Sequence, residues 1–136
     1  MQKELIHDHL FLALKAEKAT VDDTEIGTDL VDTLKANLDR CVGMAANMIG
    51  INKCIIAVCV GNTIKEMYNP VIVKKASPYK TTESCLSVTG VHSTIRYKKI
   101  TVEYYDRDFV KHKEKYADFE AQIIQHECDH LHGVLI

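Results

Sequence analysis

His126-Glu127-Cys128-Asp129-His130, an H-E-x-x-H pattern near the end of the chain, constrains the fold more than any other stretch. Positions four apart on an α-helix lie one turn apart on the same face, so both imidazoles can reach a single cation. Glu127, one position on from His126, is better placed to take a proton from water on that cation than to bind the cation itself. Two imidazoles alone make a poor site, so a third ligand is needed. Only six residues follow His130, too few for the distant downstream glutamate of one H-E-x-x-H class. The longer pattern H-E-x-x-H-x-x-G-x-x-H fits as far as Gly133 but has Ile136 at its last position. The third ligand is therefore expected upstream, with the last helix packed against whatever carries it.

Five cysteines are available: Cys41, Cys54, Cys59, Cys85 and Cys128. An odd count without a C-x-x-C pair argues against a disulfide framework. So does an N-terminal apolar patch broken by charge, unlike a signal peptide; cytoplasm is the expected compartment. Cys85, in Glu83-Ser84-Cys85-Leu86-Ser87 between two strand-like segments, is the candidate ligand. A thiolate with two neutral imidazoles leaves a fourth position for water, as in catalytic sites. Cys54 and Cys59 read as strand-core residues, and Cys41 belongs to a corner with Gly43, Ala45 and Ala46. His7, His9, His92, His112 and His132 lack partner spacing. A closed, purely structural four-ligand site would need Cys128, whose helical phase points it away from the histidines.

The 136 residues suit one domain, 1–136. A net charge of −2 argues against nucleic-acid binding through a basic face, and no apolar run is long enough to span a bilayer. The opening patch suits a short core-facing helix or entry strand. Thr20-Val21-Asp22-Asp23 offers helix-starting side chains. Ile26, Leu30, Leu34 and Leu38 at steps of four then predict an amphipathic helix over 23–39. Residues 54–60 read as a buried strand, Gly61-Asn62 as a hairpin turn, and 63–68 as the returning strand. Asn69-Pro70 punctuates before a further strand at 71–73, and Ser77-Pro78 marks a turn. Ile100, Val102 and Tyr104 alternate as a half-buried strand, partnered by a lysine-rich, edge-like strand over 109–116. Asp118 can cap the final helix, and Gly133 suits its C-terminal end. The fold class is α+β: antiparallel β-sheets packed around a C-terminal metal-binding helix, with an N-terminal packing helix.

Three stretches in fixed order resemble the peptide deformylase family, whose motifs are G-x-G-L-A-A-x-Q, E-G-C-L-S and Q-H-E-x-D-H. Here they read CVGMAANM at 41–48, ESCLS at 83–87 and QHECDH at 125–130, with Asn69-Pro70 between the first two. The resemblance runs from about residue 26 to the end. It implies Cys85, His126 and His130 as metal ligands and Glu127 as general base. The implied ion is one Fe²⁺, with Zn²⁺, Ni²⁺ or Co²⁺ also accepted; residue types alone suggest zinc. The implied reaction is hydrolysis of the N-formyl group from the initiator methionine of new proteins, with the Leu86 backbone N–H facing the developing oxyanion. Gly43, Met48 and Ile123 would contact the substrate, Gly43 and Ile123 bordering the methionine pocket, while Asp129 and Glu83 support the ligands. Expected partners are N-formyl-methionyl peptides or nascent chains, without nucleic acid or membrane, and the expected state is a monomer, with a dimer left open.

The sequence departs from the motifs at Cys41, Ser84 and Met48. The first two are small exchanges for glycine. Met48 replaces a glutamine whose amide donates to the substrate oxygen, and a thioether has no N–H. Losing one such donor typically costs about 10²–10³ in turnover, on the order of 3 kcal/mol. One reading is a slower or retuned deformylase in which water or Asn47 replaces the donor. The other is a paralogue that keeps the metal but acts on another N-acyl substrate, or only binds. The intact ligands and Glu127 favour the enzyme.

Overall fold

Side-chain alternation along one strand decides how the layers stack. In β2 (Ile55–Val60), Ile55 and Ala57 belong to one core cluster while Ile56 and Val58 belong to another. The strand is thus buried on both faces, which is why it reads as one apolar run. In the computed structural model, which describes all 136 residues, β2 pairs with β1 (Gly43–Ala45) and, across Gly61-Asn62, with β3 (Thr63–Ser84). β4 (Val91–Tyr105) and β5 (Lys111–Ala117) follow in order, making a single antiparallel five-stranded sheet. One sheet thus replaces the plural sheets that the sequence suggests.

The main correction concerns β3, whose 22 residues run through both expected breaks. Asn69 and Ser77 adopt positive φ, 53° and 62°, and the register slips between Tyr68 and Val71 and between Ile72 and Lys74. Such irregularities bend a strand without ending its pairing, and the first accommodates Pro70, which has no N–H to give the ladder. Asn69 is also pinned: its amide accepts from Ala19 N–H at 2.8 Å and donates to Ala19 C=O at 2.9 Å. β4 likewise begins nine residues before Ile100, pairing Val91 with Ser84.

Two helices cover the sheet. α2 (Thr24–Ala36), preceded by the short α1 (His9–Leu12), buries Leu30 and Leu34 against Ile55, Ala57 and Tyr68. It ends at Ala36, short of the expected 39, because the Asn37 side chain turns back onto Thr33 C=O at 2.8 Å. Leu38 is left 48% exposed. Gly27 allows α2 to cross β3, since a Cβ there would lie 1.9 Å from the Tyr68 hydroxyl. α3 (Asp118–Leu131) packs on the other face, over Ile56, Val58, Met67, Ile100, Val102 and Tyr104. Asp118 does not cap it. It is the first helical residue, with φ 55°, and Ala117 holds the cap position without a side-chain bond. Gly133 follows the helix at φ 77°, as expected. No helix is long and apolar enough to cross a membrane.

Candidate metal centre

The end of β3 and the third and fourth turns of α3 bring the expected ligands together. Ser84 is the last residue of the strand, so Cys85 leaves it directly over His126 and His130. The Cys85 Sγ and one nitrogen from each ring all lie within 4.8 Å of one another. The two Nε2 atoms face each other at 3.1 Å, near the roughly 3.3 Å that tetrahedral geometry sets for two imidazoles at metal–nitrogen bonds of about 2.0–2.1 Å. Two neutral lone pairs so arranged repel unless a cation sits between them. Burial disfavours charge on His126, but Cys85 and Glu83 outweigh it and raise its pKa to about 10. Burial, then the charge on His126, pushes His130 down to about 3. The surroundings therefore favour one positive charge held between the rings, and the N₂S donor set fits a divalent ion.

A second layer fixes the first. The Glu83 Oε1 takes the Nδ1–H of His126 at 2.8 Å, leaving Nε2 turned toward His130 and available to a cation. Glu83 is gripped in turn by Arg96, whose Nε and Nη2 donate to its two oxygens at 2.9 and 2.7 Å, and by Gln122 at 2.9 Å. The same guanidinium donates to Asp129 at 2.6 Å. Burial pushes the Glu83 carboxyl up, yet His126, Arg96 and Gln122 together hold it at about 2. Gln125 accepts from the Tyr97 N–H at 2.9 Å and donates to its C=O at 2.8 Å, locking α3 to β4.

Glu127 stands apart from this network. It is buried, its Oε1 has no partner, and burial lifts its pKa to about 7, with the His126 charge pulling the other way. A carboxyl poised there can take and return a proton near neutral pH. Gly43 makes room for it: a Cβ at 43 would lie 2.7 Å from Ile123 Cγ2 and 2.9 Å from Glu127 Oε2. A cavity of about 340 Å³ opens over these groups, lined among others by Gly43, Met48, Cys85, Leu86, Ile123 and Glu127. The Leu86 N–H makes no hydrogen bond within the chain.

The structure thus gathers the expected ligands with Glu127, Leu86, Gly43, Met48 and Ile123. Asn47 is the exception among the suggested substitutes. It lies outside the cavity lining, and its amide donates to His130 C=O at 3.0 Å instead of facing the cavity. Met48 is buried with its sulfur accepting from the Ala45 N–H at 3.5 Å. Cys128 packs in the core beneath α3, away from the centre. Arg96 and Gln122 escaped the sequence reading. Arg96 did leave a trace: it falls on the same alternating phase of β4 as Ile100, Val102 and Tyr104, a cation where the strand faces the core.

Comparison with known proteins agrees with this geometry. A family model described as polypeptide deformylase matches residues 5–136. A peptide deformylase of Clostridium beijerinckii is 54% identical over 136 residues, covering the whole of both chains. The crystal structure of a peptide deformylase from Legionella pneumophila superposes with a TM-score of 0.88 at 26% identity, covering 99% of this chain and 83% of that one. That of Thermotoga maritima gives 0.88 at 27% identity, covering 99% and 95%.

Proposed function

The chain belongs to the polypeptide deformylase family, and from that premise we propose that Cys85, His126 and His130 hold one divalent metal ion beside Glu127 for hydrolysis of the N-formyl group on the initiator methionine of new proteins. The observation that carries this reading is the convergence of three ligand atoms within 4.8 Å, next to a buried carboxyl poised near pH 7. A bound divalent ion supplies Lewis-acid chemistry, polarising a carbonyl and making water acidic enough to lose a proton near neutrality. The chain's own residues do the rest. Glu127 accepts the proton of the attacking water and returns it to the leaving amine, so that formate and a free N-terminus result. The Leu86 N–H donates to the formyl oxygen as charge builds on it. Gly43 and Ile123 border the space for the methionine side chain, and Met48 stands on the side of the substrate oxygen. Glu83 and Arg96 keep the His126 ring turned toward the ion.

The ion proposed is Fe²⁺, as the family resemblance implies; Zn²⁺, Ni²⁺ and Co²⁺ suit the same donors. The enzyme is proposed to act in the cytoplasm as a monomer on N-formyl-methionyl nascent chains. Formate release from a short formyl-methionyl peptide, by protein purified without oxygen and loaded with Fe²⁺, tests the assignment. Release should disappear in Glu127→Ala. Absence of release from folded, metal-loaded protein would overturn it.

A further inference from the structure

The sheet has a second distinct surface, far from the metal centre in chemistry. Residues directly opposite one another in an antiparallel pair share a face. Lys74 on β3 lies opposite Thr101 on β4, and Thr101 opposite Lys115 on β5. One step along, Ala76, Lys99 and Ala117 line up in the same way. Lys113 continues the row beyond Lys115. All four of these lysines are exposed. They sit on the face opposite to Ile100 and Tyr116, which pack in the core beneath α3. A shallow cleft of about 570 Å³ runs here, lined by Lys74, Lys75, Lys99, Thr101 and Lys115 among others, with no carboxylate in its lining.

These charges are not neutralised within the chain. Lys3, Lys53, Lys65 and Lys111 form ion pairs, whereas Lys74, Lys99, Lys113 and Lys115 form none. Nor does overall composition explain them. The chain carries a net charge of −2, yet residues 67–117 hold ten lysines and arginines against five acids. The net figure averages over this asymmetry, which is why it argued against a basic face. Guarding a sheet edge against aggregation accounts for the lysines on the outer strand β5 and for Lys74, where β3 has run past the end of β2, but not for Lys99, which is paired on both sides.

We propose that this lysine face of β3, β4 and β5 binds the phosphate backbone of single-stranded RNA. Protein interfaces are depleted in lysine and depend on aromatic or arginine anchors. On the same face between these lysines lie Ala76, Ala117, Thr101 and a single acid, Glu103, opposite Lys113. A phosphate backbone needs no such anchor, because release of its counterions supplies the affinity. Lysine heads on flexible stems suit that contact, and a flexible single strand can follow an open sheet face where a stiff duplex touches it at few points, with the phosphates and not base stacking supplying the affinity. New proteins, the family's substrates, are made where RNA is abundant.

The probe is a fluorescently labelled oligouridylate of twenty nucleotides, followed by anisotropy with the metal-loaded enzyme. Four lysine–phosphate contacts predict a salt slope of about −2.8, so affinity should fall about 50-fold between 50 and 200 mM monovalent salt. The triple variant Lys74→Gln, Lys99→Gln, Lys115→Gln should bind at least about tenfold more weakly at 50 mM and flatten the slope to about −0.7, with formate release unchanged. Glu103→Gln removes the acid that lies opposite Lys113 and pairs with Lys111, and should tighten binding severalfold. No binding at 50 mM salt, or binding indifferent to the triple substitution, would overturn the proposal. So would tighter capture of polyglutamate or of phosphatidylserine vesicles, which would make the partner an acidic protein or a membrane.

Discussion

Two carboxylates in this molecule are gripped by nearly the same chemistry and serve different ends. Glu83 receives Arg96, Gln122 and His126; Glu114 receives Lys65 at 2.7 Å and the hydroxyls of Tyr104 and Tyr116. In both, burial works to raise the pKa and the donors overcome it, holding each carboxyl at about 2. The difference lies in depth and in what stands behind. The Glu83 side chain is 7% exposed and passes its orientation to His126, a proposed metal ligand; that of Glu114 is 34% exposed and joins β3 to β5. A tight hydrogen-bonded knot is therefore no sign of function by itself. It becomes one when a member of the knot touches the reacting centre.

Breaking each knot should separate the two cases, and the largest effect is expected at Arg96. Replacing it with methionine leaves Glu83 and Asp129 without their shared cation, and loss of one partner of a buried pair costs about 3–5 kcal/mol. Chemical denaturation of the apoprotein measures this. Arg96→Lys keeps the charge but loses the two-pronged grip on Glu83, so its cost should fall between the two. Equal stability of Arg96→Met and the parent would show that the guanidinium does not hold this corner.

Glu83→Gln sharpens the comparison on function. The amide cannot hold the His126 Nδ1–H as a charged acceptor does, and loss of such a partner typically lowers metal affinity or activity about 10–100-fold. Competition with a chelator reads the affinity directly. Glu114→Gln should leave both metal affinity and formate release unchanged, so an equal loss in the two variants would erase the distinction. Met48 offers the opposite experiment, since it is a cavity position lacking a polar donor. In Met48→Gln, the amide oxygen can accept the Ala45 N–H that Met48 sulfur now accepts, freeing the NH₂ to face the substrate oxygen. Turnover should rise severalfold or more, with little change in metal affinity. A fall in turnover would show that the cavity no longer uses position 48.

The contrast also explains which parts were legible in the sequence. The proposed ligands and Glu127 stand out in the sequence because their chemistry is rare and their spacing periodic: four residues on a helix, then one thiol at a strand end. Leu30 and Leu34 were readable for the same reason. The end of α2 was not, because Asn37 stops the helix through a hydrogen bond to Thr33 that apolar spacing cannot register. The continuity of β3 was hidden because Pro70 and Pro78, local signs of a turn, sit within a strand whose pairing continues on both sides. Arg96 was hidden for a third reason. Its partners Glu83 and Asp129 lie 13 and 33 residues away, and only the register of β3 on β4 and the packing of α3 bring them together.

The smallest expected effect is the acid sensitivity of Glu114, and its sign follows from the depressed pKa. A carboxyl held at about 2 in the folded chain, below the ordinary 4.5, contributes stability that is complete above pH 4.5 and disappears as pH falls toward 2. The donors are partly solvated, and exposed pairs are worth little, so the contribution should amount to about 0.5–1 kcal/mol at neutral pH. Glu114→Gln should therefore be less stable than the parent by about that amount at pH 7, with the gap closing between pH 4.5 and 2. Urea denaturation of both proteins in apo form across that range measures it. Using apoprotein keeps acid release of the metal out of the comparison, and the two proteins share Glu83, so its protonation cancels in the difference. A gap that stayed constant down to pH 2 would mean that Glu114 acts through the shape of its contacts with Lys65, Tyr104 and Tyr116 and not through its charge.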